Sequence, residues 1–127
     1  MRLLLDTHAV LGLLSPDVPD IRLSPAARAA IHRPNTELIV STVNVWEIAI
    51  KRAIGKLKAP EDLIERAEEA GAEMLSITPR HAHATAGLPL HHRDPFDRLL
   101  IAQAKLEGCA IVTRDPAFPA YGVPVIW

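Results

Sequence analysis

A chain of 127 residues, 49% hydrophobic and 23% charged, is long enough for one domain spanning 1–127 with its own core and has an ordinary globular balance. Its formal net charge of -1 leaves no overall basic footprint of the kind that announces nucleic-acid binding, so any such binding must come from a local patch or a bound ion. The single cysteine, Cys109, excludes an intrachain disulfide and fits a reducing cytoplasm; its place in the run CAIV predicts a buried structural thiol. No apolar run is long enough to span a bilayer, and MRLLLD runs straight into a charged residue, so neither a membrane span nor a signal peptide is expected.

In chain order, RLLL at 2–5 reads as a strand and SPDVPD at 15–20 as a loop. Ser24-Pro25 starts a helix over AARAAIH, an N-cap followed by a first-turn proline. ELIV at 37–40 is a second strand, after which Ser41 caps a helix over TVNVWEIAIKRAI that runs to Gly55. Pro60, Glu61 and Asp62 open DLIERAEEA, stopped by Gly71, and EMLSI at 73–77 is a third strand. Thr78-Pro79 opens RHAHATA, GLPLHHR at 87–93 is a loop, and Asp94-Pro95 opens FDRLLIAQAKLE, stopped by Gly108. AIVT at 110–113 is a fourth strand, and VPVIW at 123–127 a short edge strand begun near proline. The first four strands recur roughly thirty-five residues apart, with room for two helices per crossover. Short, wholly apolar strands alternating with helices predict an α/β domain whose mostly parallel sheet is covered on both faces.

Against this pattern, certain acids stand out. Asp6 follows the first strand directly, and Asp115 follows the fourth by two residues. Ligands of open α/β sheets bind outside the carboxyl ends of strands, where strand order reverses. Taken singly, each aspartate has a plain alternative as a loop-capping acid. Glu47 borders the apolar stripe Val43, Trp46, Ile50 and Ile54, expected to face the sheet. A core-facing glutamate needs a partner or a metal; the alternative is an i,i+4 pair with Lys51. Asp94 reads as a helix cap and Asp97 as a first-turn acid favoured by the helix dipole, yet Asp97 shares a face with Leu100, Ile101 and Ala104 and so points inward.

The four acids weigh more together than singly. Carboxylates about 6 Å apart repel by roughly 3 kcal/mol per pair at an effective dielectric near 20, against a net domain stability of about 5–15 kcal/mol. Such a cluster persists only if protons or cations neutralise it. Oxygen ligands without cysteine or an ordered histidine pair select Mg²⁺ or Mn²⁺, which suits phosphodiester chemistry.

The segments LLLDTHAVL, STVNVWEIAIK with GKL after it, HHRDPFDRLLIAQA and IVTRD resemble, in order and spacing, the PIN domain, and most nearly its VapC-type toxins of bacterial toxin–antitoxin pairs. The resemblance covers essentially the whole chain. It implies a three-layer α/β/α sandwich with a five-stranded, mostly parallel sheet. It implies Asp6, Glu47, Asp97 and Asp115 as catalytic ligands for one or two Mg²⁺ or Mn²⁺ ions, and endonucleolytic cleavage of RNA. It further implies a cognate antitoxin that covers the site, and a homodimer. Thr7 and Thr113 match polar positions that orient the acids, and Asp94 matches a capping acid behind them.

Other residues are less pointed. Arg93, Arg98 and Arg114 neighbour the acids and are candidates for phosphate contacts, or else pair with Asp94, Asp97 or Asp115 or point to solvent, the reading favoured for Arg114. His81 and His83, two apart, make a poor chelate. His91 and His92 lie in a loop beside the site, where a surface or hydrogen-bonding role is favoured over proton shuttling. Trp46 and Trp127 read as packing residues. Haloacid-dehalogenase-type phosphatases need a second aspartate where this chain has His8, and receiver domains a phosphoacceptor aspartate where it has Thr78. The surviving alternatives are a structure-specific DNA nuclease on the same fold and a non-catalytic partner-binding module.

Overall fold

In the computed structural model, which describes residues 1–18 and 21–127, the first apolar run becomes the central strand of a sheet. Strand β1 (Arg2–Leu5) lies between β2 (Glu37–Ser41) and β4 (Ala110–Val112), with β3 (Glu73–Leu75) and β5 (Val125–Ile126) at the two edges. All four pairings are parallel, so the mostly parallel sheet expected from sequence is parallel throughout. The third strand stops two residues before the end of its apolar run. There the Ser76 carbonyl accepts from Gln103 and Thr78 becomes a helix cap, which takes that backbone out of the ladder. Of the expected 15–20 loop, Pro19 and Asp20 lie outside the described residues.

Among the described residues six α-helices fill the crossovers: α1 (Thr7–Leu14), α2 (Pro25–Ile31), α3 (Thr42–Ala53), α4 (Leu63–Glu69), α5 (Pro79–Ala84) and α6 (Pro95–Glu107). Ser24, Ser41, Thr78 and Asp94 each cap the following helix through the side chain, as their positions predict. Gly108 closes α6 in the left-handed region at φ 66°, which a side chain would strain. Pairs of helices lie between β1 and β2, β2 and β3, and β3 and β4.

Strand alternation divides the core in two. Leu3, Leu5, Leu38, Val40 and Val112 meet Val10 and Leu14 of α1 and Ala27 and Ile31 of α2 on one face. Leu4, Ile39 and Ile111 meet Val43 of α3 and Leu100 and Ile101 of α6 on the other. Because both faces are covered, apolar residues occupy successive positions rather than alternate ones. The result is a three-layer α/β/α sandwich.

Helix α3 departs from expectation. Its stripe of Trp46, Ile50 and Ile54 faces outward, with Trp46 52% and Ile54 61% exposed, and the buried positions are Val43, Asn44, Glu47 and Ile48. Of the four apolar residues expected to meet the sheet, only Val43 does so; the other three are turned away from it. Trp46 instead rests edge-on against Phe96 of α6. The helix is turned so that its polar groups Asn44 and Glu47 find partners inside, with Ser41, Thr7 and Lys51.

The topology fixes where a site can form. The chain runs outward from β1 to β2 and β3, then returns to place β4 on the other side of β1. Between the carboxyl ends of β1 and β4 lies the point where strand order reverses. The Asp6 amide donates to the Val112 carbonyl at 3.0 Å and ties the two strand ends together there.

Candidate functional site

Asp6, Glu47, Asp97 and Asp115 all line one open cleft of about 690 Å³ at that reversal point, together with Thr7, His8, Lys51 and Arg114. Leu11, Ile21 and Leu57 form an apolar wall beside them. Asp6 stands at the end of β1, Glu47 in the middle of α3, Asp97 in the first turn of α6 and Asp115 just past β4. Four segments far apart in sequence thus deliver one acid each.

Three of the acids are tied to the fold by a carboxylate oxygen. Asp6 Oδ1 accepts from the Ala9 amide at 2.8 Å and caps α1. Asp115 Oδ1 accepts from the Ala117 amide at 2.9 Å, a turn contact. Glu47, 4% exposed, accepts from the Thr7 hydroxyl at 2.6 Å through Oε1 and from Lys51 Nζ at 2.6 Å through Oε2. The capping roles and the Glu47–Lys51 pair weighed from sequence are therefore present, and so is convergence on the cleft. The two readings are compatible because a carboxylate offers about four lone-pair sites, more than these contacts use.

Burial and mutual repulsion set the charge state. Burial pushes the Asp6 carboxyl up to about 6, with Glu47 and Asp115 adding to the rise, while the Thr113 hydroxyl and the Ala9 amide oppose it. Burial also raises Asp97, to about 7, reinforced by Asp94, Glu47 and Asp6 and opposed by His92. Lys51 is raised by its hydrogen bond to Glu47, against the effect of its own burial. The site favours positive charge wherever it can be supplied.

The supporting residues fall into place around the acids. Asp94 Oδ1 caps α6, accepting from the amides of Phe96 at 2.8 Å and Asp97 at 3.1 Å. Thr113, almost wholly buried, accepts from the Asp115 amide at 3.0 Å. Thr7 is held in turn by the Asn44 amide, which donates to its hydroxyl at 3.2 Å. Arg98 donates to the carbonyls of Thr85, Leu88, Pro89 and His92 and to the Tyr121 hydroxyl. Its guanidinium is thereby committed to the 85–92 loop and does not line the cleft. Arg114 is exposed at the cleft rim and Arg93 is exposed nearby.

His92, read from sequence as a surface or hydrogen-bonding residue of the loop beside the site, enters the cleft's acid cluster: its Nε2 lies 2.9 Å from Asp97 Oδ2 and 2.9 Å from Asp115 Oδ2. Its nearness to the site was legible from its place two residues before the capping Asp94; its two acid partners were not. His81 is buried against Glu107 and Gln103, remote from the cleft acids, and His83 is exposed, so the two do not converge. Cys109 is buried, as expected, and burial raises its thiol.

The donor set suits a hard divalent cation. Four carboxylates supply oxygen ligands, two of them raised by burial and by their acidic neighbours, and no thiolate lines the cleft.

Comparison with known proteins agrees with this architecture. No curated protein gives a significant match. Among solved structures, the chain is similar to VapBC2 from Rickettsia felis bound to a DNA fragment from their promoter, with TM-score 0.69, 13% identity, and 98% of this chain and 97% of that one covered. It is similar to DNA-bound VapBC from Salmonella typhimurium, with TM-score 0.66, 18% identity and coverage of 98% and 96%. It is also similar to FitAcB from Neisseria gonorrhoeae, with TM-score 0.59, 21% identity and coverage of 97% and 95%. At these identities the likeness concerns the fold. The family model for the PIN domain matches residues 3–124, nearly the whole described chain, and the chain belongs to that family.

Proposed function

We propose that this chain is a metal-dependent endoribonuclease, the toxin half of a toxin–antitoxin pair. The observation that carries the reading is the convergence of Asp6, Glu47, Asp97 and Asp115 on one cleft at the strand-order reversal, where burial and the neighbouring acids raise Asp6 and Asp97. An unused cluster of this kind costs stability, which argues against a non-catalytic module.

The four carboxylates would hold one or two Mg²⁺ or Mn²⁺ ions, which when bound would supply charge against phosphate oxygens and acidify water. The chain's own part is positioning. Asp6 sits at the most rigid place, a strand end tied to both β4 and α1. Thr7 and Lys51 fix the two oxygens of Glu47, and Thr113 orients the turn that carries Asp115. Arg114 at the rim is placed to meet substrate phosphates, where arginine makes bidentate contacts.

RNA as substrate is supported by the resemblance of the DTH, WEIAIK and DPFD segments to VapC-type toxins. A cognate antitoxin is supported by the VapBC and FitAcB complexes among the similar structures. A cytoplasmic homodimer as the working unit belongs to the same reading; no helix among the described residues is long and apolar enough to cross a membrane.

The test is cleavage of total bacterial RNA by the purified chain with Mg²⁺ or Mn²⁺, with EDTA, and with Asp6→Asn. Discrete products that require metal and vanish in the variant are expected. Failure of the folded, metal-loaded protein to cut RNA, with cleavage of branched DNA instead, would overturn the substrate assignment.

A further inference from the structure

His92 sits where a metal ligand would be looked for: one ligand atom each from His92, Asp97 and Asp115 lies within 4.8 Å of the others. Its hydrogen bonds argue otherwise. The Asp94 amide donates to His92 Nδ1 at 3.2 Å. An amide can donate only to a lone pair, so Nδ1 carries none of the ring's protons and the neutral ring bears its proton on Nε2. That Nε2–H faces Asp115 Oδ2 at 2.9 Å and lies equally near Asp97 Oδ2. A nitrogen that carries a proton cannot coordinate a metal.

The ring has little freedom to exchange these roles. The His92 amide donates to the Tyr121 hydroxyl at 2.7 Å, and its carbonyl accepts from Arg98 at 3.2 Å. The imidazole stands edge-on to Phe118, centroids 6.0 Å apart. Turning the ring to offer Nε2 as a ligand would require Nδ1 to gain a proton directed at the Asp94 amide proton.

We infer that His92 is a positioning residue: a fixed hydrogen-bond donor that holds the Asp97 and Asp115 carboxylates toward each other and keeps the cleft's metal ligands all-oxygen. The inference deepens the metal-dependent reading and rests on it for its consequence, though not for its geometry. Asp97 comes from α6 and Asp115 from the turn after β4, and His92 is the side chain that bridges them. Groups that orient ligands in this way typically change metal affinity or activity 10- to 100-fold when removed.

The test starts with the unaltered full chain, labelled with ¹⁵N-histidine. A long-range ¹H–¹⁵N spectrum reads the tautomer of His92, assigned by its disappearance in His92→Gln, before and after addition of Mg²⁺. The expected result is an Nε2–H ring whose Nε2 keeps its proton when Mg²⁺ is added. An Nδ1–H ring, or loss of the Nε2 proton on adding Mg²⁺, would overturn the inference by making His92 a ligand. Mn²⁺ titration then compares His92→Ala with His92→Gln, whose amide restores a donor near the Nε2 position. Affinity is expected to fall about tenfold or more in the alanine variant and to recover largely in the glutamine variant. Equal affinity of the alanine variant and the unaltered chain would overturn the positioning role. If the unaltered chain binds no Mn²⁺, the metal-dependent reading fails, while the Mg²⁺-free tautomer still decides the geometry assigned to His92.

Discussion

At the scale of single residues, most of the cleft acids serve the fold and the cleft together. Asp6 caps a helix, Asp115 closes a turn and Glu47 pairs with Lys51, yet all three line the cleft. Asp97 shows the cost most clearly. Its carboxyl is held at about 7 by burial and by Asp94, Glu47 and Asp6, so near pH 8 the metal-free protein carries a charge its surroundings disfavour. Asp97→Asn removes that charge while keeping size and position. In EDTA at pH 8 the variant is expected to be more stable to urea by about 1–2 kcal/mol, and to have lost RNA cleavage. A variant no more stable than the unaltered chain would show that Asp97 is already neutralised within the protein.

At the scale of elements, the acids are aimed by helix beginnings. Ser41 ends β2 and starts α3: its hydroxyl accepts from the Val43 amide at 3.0 Å and donates to Gln103 Oε1 of α6, while Asn44 Oδ1 accepts from the Ser41 amide at 2.8 Å. Asn44 also reaches Thr7, which reaches Glu47, so the cap and the site belong to one buried polar network. Ser41→Ala breaks the cap and leaves Gln103 short of a donor. Chemical denaturation is expected to show a loss of about 1–3 kcal/mol; a loss below about 0.5 kcal/mol would mean that water or a neighbour replaces the hydroxyl.

The same elements show what the amino-acid order reveals and what it hides. Strands and caps were legible because apolar runs, Ser-Pro, Thr-Pro and Asp-Pro steps and terminal glycines act locally. The rotation of α3 was not legible. Periodicity identified an apolar stripe but could not show that Asn44 and Glu47 would find partners inside while Trp46 and Ile54 remained outside. Helix α1 fits the room for two helices in that crossover but has no separate start signal, because its cap, Asp6, reads first as a strand-end acid. The acids themselves could be listed from sequence because they fall at strand ends and inward helix positions. His92 was placed beside them, but its acid partners could not be named, because they depend on a loop shaped by Arg98 and on a turn 23 residues away.

At the scale of the whole molecule, sheet order does the gathering. A return of β4 to the side of β1 makes one crevice, and the acids of β1, α3, α6 and the β4 turn meet there. The consequence is a coupling of stability, pH and metal. Asp6 and Asp97 are raised in the folded state to about 6 and about 7, from 3.8, so the native protein retains protons that the unfolded chain releases. Their stabilising contribution is full below about pH 4 and is lost as pH rises through 6 and 7. For the metal-free protein, these two groups make Tm higher near pH 5 than near pH 8. Mg²⁺ or Mn²⁺ binding only the native state is expected to raise Tm, by more at pH 8 than at pH 5, where protons compete for the ligands. Thermal scans with and without metal at the two pH values check this; a metal effect equal at both would place the binding groups elsewhere.

The central claim is that the four carboxylates hold a divalent ion for phosphodiester hydrolysis. The most direct measurement is the anomalous difference map of a crystal of this chain soaked with Mn²⁺. The account predicts Mn²⁺ among Asp6, Glu47, Asp97 and Asp115, with oxygen ligands only. Mn²⁺ bound at another surface while this cleft holds none would contradict it.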